Sequence, residues 1–156
     1  MLFHLSIDAD DPQHVAGVFA EIWDGRAVPF PSVATGSWLA LSNDERNATI
    51  EVYPRGTELV EMPGDADAKG LPGHRASRSP THMAIGTRKT MDEILALCAR
   101  EGWTAKYRKR GGVFGVIEIW VEGWRMIEVL TPEMQAEYLA LKSPPQAMAV
   151  RPEAAA

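Results

Sequence analysis

Apolar and polar residues alternate through residues 2–8 (LFHLSID). Phe3, Leu5 and Ile7 fall on one face, His4 and Ser6 on the other, which is the two-residue period of a strand. Asp10-Asp11-Pro12 then supplies an acidic N-cap and a proline for the first turn of a helix. Val15, Val18, Phe19, Ile22 and Trp23 follow at helical spacing as one apolar stripe, and Asp24-Gly25 ends it. A short extended piece at 26–30 and strands at 36–42 and 47–53 complete the first half.

The same order returns further along. Residues 81–87 (THMAIGT) alternate, with Met83 and Ile85 on one face and His82 and Ala84 on the other. Thr90 can cap a helix whose stripe is Met91, Ile94, Leu95 and Cys98, and Glu101-Gly102 terminates it. Strand patterns occupy 103–108, 113–121 and 124–130. Pro132 opens a short helix carrying Met134, Tyr138, Leu139 and Leu141.

The two halves therefore predict an α+β fold of duplicated βαβββ modules, spanning 1–53 and 81–131. The repeat, about 78 residues, is too long for a solenoid. Single-striped helices lie on the outer face of a mixed sheet, whose other face is left to curve into a cup. Residues 54–80, rich in proline, glycine and scattered charge, read as a linker or flap. A C-terminal helix covers 132–142, and 143–156 reads as a disordered tail.

Four strand stretches each carry one metal-capable residue among apolar neighbours: His4, Glu51, His82 and Glu128. Alternation turns each away from the helix side. Glycine at the end of a three-residue Val121-Glu122-Gly123 loop pairs Glu118 with Met126 and Val116 with Glu128. That pairing puts Glu118, Trp120 and Glu128 on the cup side. Two imidazoles and two carboxylates form a mixed nitrogen/oxygen set suited to one divalent ion, Ni, Zn, Fe, Co or Mn. Further candidates for the substrate pocket are Trp38, Tyr53, Trp103, Tyr107, Glu118 and Trp120, with Arg88, Arg108 and Lys106 available for an acidic group.

A net charge of −5 argues against nucleic acid, which needs a basic footprint. The basic cluster from Lys106 to Arg110 reads as a solvated strand end. The single cysteine, Cys98, lies in an apolar run and reads as a buried, inert thiol, which suits a reducing cytoplasm. No apolar run reaches the ~18 residues of a membrane span, and no secretory signal pattern opens the chain. The expectation is a soluble, cytoplasmic protein with a small-molecule substrate and no membrane partner.

Over residues 2–131 the chain resembles the vicinal oxygen chelate superfamily, which includes glyoxalase I, extradiol dioxygenases, fosfomycin-modifying enzymes and bleomycin-binding proteins. The resemblance rests on the duplicated βαβββ plan and on His4 in FHLSI, Glu51 in TIEVY, His82 in THMAI and Glu128 in MIEVL. It implies these four as metal ligands, in the pattern closest to glyoxalase I-like members. The implied activity is a metal-dependent lyase or isomerase acting on a small carbonyl compound through an enediolate, with Glu51 or Glu128 as catalytic base. The alternatives are a metal-free binding or sequestration protein of the same fold and an iron-dependent dioxygenase. The superfamily builds its cup within one chain or across a dimer, so a homodimer is compatible with this sequence.

Overall fold

The computed structural model describes residues 4–45, 47–60, 62–63, 68–74 and 82–140. The chain divides into two compact units, residues 1–80 and 81–156.

In the first unit, β1 (His4–Ala9) leads into α1 (Pro12–Ile22). The Asp11 carboxylate accepts the His14 N–H at 3.0 Å and so satisfies one of the helix's free donors. Val15, Phe19 and Ile22 are fully buried along the expected stripe. β2 (Arg26–Pro29), β3 (Trp38–Leu41) and β4 (Thr49–Pro54) follow. The sheet order is β1-β4-β3-β2, with β1 parallel to β4 and the other pairs antiparallel. α1 packs over β2, β3 and β4, against Ala40, Ile50 and Val52, all fully buried. Gly25 has to be glycine. A Cβ there would stand 1.9 Å from the Leu41 carbonyl oxygen.

The stretch expected to be a linker or flap contains a ribbon, β5 (Thr57–Val60) paired antiparallel with β6 (Lys69–Pro72). Its strands are short and carry exposed Leu59, Val60 and Leu71, so no buried face imposes an apolar alternation that a sequence reading can detect. Gly70 donates to the Val33 carbonyl at 3.0 Å, and its missing side chain lets the ribbon approach Ala34.

The second unit repeats the plan: β7 (Met83–Gly86), α2 (Met91–Glu101), β8 (Thr104–Arg110), β9 (Phe114–Val121), β10 (Arg125–Leu130), then α3 (Pro132–Leu139). Its sheet order, β7-β10-β9-β8, is the counterpart of the first. Thr90 and Glu93 form a reciprocal capping box at the start of α2, and Gly102 closes it in the left-handed conformation. Leu97, rather than Leu95, joins Ile94 and Cys98 on the buried side, and Met91 is exposed. In α3 only Met134 is buried. Tyr138 and Leu139 are exposed, and Leu141 and the tail lie outside the described residues.

Hydrogen bonding thus defines two four-stranded mixed sheets, one per unit, each flanked by helix. Ile117, Ile119, Ile127 and Val129 are wholly buried on one face of the second sheet. Each such side chain contributes about 1.5–3 kcal/mol relative to exposure. Among the described residues, no helix is long and apolar enough to cross a membrane.

Candidate functional site

β1 and β4 run side by side with Ser6 opposite Glu51 and Asp8 opposite Tyr53. Ile7 and Val52 point into the core, so His4, Ser6 and Asp8 share the other face with Thr49, Glu51 and Tyr53. On that face the Ser6 hydroxyl donates to Glu51 Oε2 at 2.7 Å and the Tyr53 hydroxyl donates to the same oxygen at 2.9 Å. Tyr53 is only 5% exposed. Burial, reinforced by the hydrogen bond to Glu51 and by its charge, pushes the phenol up to about 12. Tyr53 is therefore a permanent donor at neutral pH. Asp8 has a different partner, the Arg55 guanidinium at 3.7 Å, which also holds Asp10 at 2.8 Å.

In the second unit Glu128 lies opposite Ala84 on β7 and opposite Glu118 on β9. Two carboxylates facing each other across a strand pair repel unless a cation intervenes. Arg110, at the end of β8, provides it. Its Nε and Nη2 donate to Glu128 Oε1 at 2.9 and 2.5 Å, and Nη2 also reaches Glu118 Oε2 at 3.0 Å. The Trp120 indole N–H donates to Glu118 Oε1 at 3.1 Å. That bond, aided by Arg110 and Arg108 and opposed by burial, holds the Glu118 carboxyl below its usual range. Arg110 is raised in turn, first by its hydrogen bond to Glu128.

The expected residues divide by face. Tyr53 accompanies Glu51, while Glu118 and Trp120 accompany Glu128. Trp38 lies opposite Val52, on the face covered by α1 rather than that of Glu51. Tyr107 pairs with Ile117 and packs over Gly115, on the face opposite Glu118. Trp103 is buried where α2 hands over to β8, its backbone N–H donating to the Cys98 carbonyl. His4 and His82 are both exposed, and Arg88 is exposed in the turn before α2.

The last hairpin also differs in register. Its loop is Glu122-Gly123-Trp124, one residue later than expected, so Glu128 faces Glu118 and Met126 faces Trp120. Glu122 and Gly123 both take positive φ, and the Trp124 N–H closes the turn on the Val121 carbonyl. Displacing the loop by one residue moves each partner by two, so every side chain keeps its expected face.

Arg110 is the residue that the sequence reading left out. Alternation through Lys106-Tyr107-Arg108-Lys109-Arg110 carried the signal, since it sets Lys106, Arg108 and Arg110 on the Glu118 face. Reading the cluster as a solvated strand end holds for exposed Lys106 and Arg108 but not for Arg110, which spans two carboxylates.

A divalent ion needs carboxylates with uncommitted oxygens. Glu51 meets this at Oε1, since both its donors sit on Oε2. Glu128 also has a free oxygen, Oε2, but the guanidinium on Oε1 already supplies its counter-charge. Among the described residues, no three of His, Cys, Asp or Glu are grouped as metal ligands. The second unit as it stands does not fit the four-ligand ion.

No family model matches the chain, and no curated protein matches its sequence. Solved structures share its fold. The fosfomycin resistance protein FosX from Mesorhizobium loti aligns with a TM-score of 0.56 at 16% identity, over 90% of this chain and 98% of that one. Glyoxalase I from Leishmania major aligns at 0.53 and 15%, over 96% and 99%. A lactoylglutathione lyase from Agrobacterium tumefaciens aligns at 0.52 and 11%, over 83% and 91%. At these identities the likeness is one of fold.

Proposed function

We propose that the protein is a lyase or isomerase acting on a small carbonyl compound, with Glu51 as the group that moves the proton. The observation that carries this reading is the asymmetry of the Glu51 carboxylate. Ser6 and Tyr53 clamp Oε2, which fixes the group in place, and Oε1 is left to act. A positioned carboxylate of this kind takes a proton from a hydroxyl-bearing carbon beside a carbonyl, giving an enediolate. His4, on the same face and without a partner among the described residues, is offered to the oxygen on which charge develops. That a glyoxalase I and a lactoylglutathione lyase share the fold supports the reaction class.

The test is proton exchange in heavy water with small α-ketoaldehydes and their thiol adducts, followed by NMR. Glu51→Gln is expected to lower the exchange rate by about 100-fold or more while leaving the circular dichroism spectrum unchanged. Exchange at the wild-type rate in Glu51→Gln would sink the assignment.

A second reading, metal-free binding or sequestration of a small molecule, is favoured by Arg110's hold on Glu128. Under that reading the same compounds bind without exchange, and Glu51→Gln changes affinity alone.

A further inference from the structure

The geometry points to Arg110 as a built-in counter-ion that occupies the place of a metal at Glu128 and Glu118. The side chains of these two carboxylates are only 13% and 14% exposed, and they face each other across β9 and β10. Such a pair cannot stay ionised without a cation beside it. A divalent ion and a guanidinium both meet that need, but they use the same oxygens. Arg110 already takes Glu128 Oε1 through two nitrogens and Glu118 Oε2 through one of them. Trp120 takes the remaining oxygen of Glu118. Glu128 Oε2 has no partner among the described residues, but the guanidinium charge beside it opposes the approach of a divalent ion.

The consequence is competitive. A metal gains Glu128 only by displacing Arg110, whereas a chain lacking Arg110 presents two facing carboxylates with only the more exposed Arg108 near them, 3.8 Å from Glu118 Oε2. Removing the arginine should therefore create a metal site that the native chain keeps closed. This concerns the second unit alone and is independent of the role proposed for Glu51.

The experiment is calorimetric titration of the full chain with Zn²⁺ and with Ni²⁺, comparing wild type, Glu128→Gln, Arg110→Met, and Arg110→Met combined with Glu128→Gln. Arg110→Met is expected to bind at least tenfold more tightly than wild type, and the double variant to lose that gain. Equal or weaker binding by Arg110→Met overturns the proposal. So does tight wild-type binding that Glu128→Gln abolishes. Should Arg110→Met fail to fold, the wild-type protein still decides the matter through the ¹⁵N–¹H resonance of the Arg110 Nε group. That resonance should persist, unshifted, with excess Zn²⁺, and its loss on adding metal would refute the competition.

Discussion

Tyr53 and Glu51 lie two residues apart on β4, on the same face, and are joined by a 2.9 Å hydrogen bond from the phenol to Oε2. Burial, with this bond, raises the Tyr53 phenol to about 12, so the folded state prefers the neutral tyrosine more strongly than the unfolded chain does. The stability this contributes is complete below the unfolded value, ~10, and is lost as pH rises towards 12. Denaturant titrations of wild type and Tyr53→Phe should differ by a constant amount up to about pH 10, and the difference should shrink above it. A tyrosinate absorbance change near pH 12, missing from Tyr53→Phe, checks the assignment.

The Trp120–Glu118 hydrogen bond has the opposite sign. Glu118 is held below its ordinary value, first by the indole and then by Arg110, so its stabilisation is present above ~4.5 and is lost on acidification. Trp120→Phe should cost more stability at pH 7 than at pH 3, because the packing loss is common to both and the hydrogen-bond loss is not. Urea unfolding at the two pH values measures the difference, and an equal cost at both would remove Trp120 from the account.

Both ends of α2 depend on single residues. Thr90→Ala opens the capping box and should destabilise the protein by about 1 kcal/mol. Gly102→Ala meets no steric obstacle, since nothing lies within 4 Å of a Cβ there, but the backbone sits at φ +69. It should cost about 1 kcal/mol through conformation alone. Denaturant midpoints of the two single variants and their double should show near-additive losses, as the two sites share no partner.

Cys98 is raised to about 11, by burial and then by the charge of Glu101. The native protein should resist thiol-specific reagents at pH 8, and labelling should follow the fraction unfolded as guanidinium is added. Labelling ahead of unfolding would mean that the thiol is reached through local opening of α2.

Much of the fold can be read from the sequence, because the controlling physics is local. Apolar alternation set the faces of β1, β4, β9 and β10. A helical stripe marked α1, and capping chemistry located the start of α2 at Thr90 and its end at Gly102. The duplicated order followed from the recurrence of these patterns. The ribbon at 57–60 and 69–72 stayed hidden, since strands exposed on both sides leave no alternation.

The candidate site was only partly legible. Sequence placed Glu51 and Tyr53 on one face, because parity along a strand needs no knowledge of the partner strand. Tertiary structure alone decided that Ser6 stands opposite Glu51, that the last turn sits at Glu122 and Gly123, and that Arg110 reaches Glu128 from another strand. The parity of a side chain is inherited from its neighbours in the chain. Its counter-charge is chosen by strand register, which brings together residues that the sequence keeps far apart.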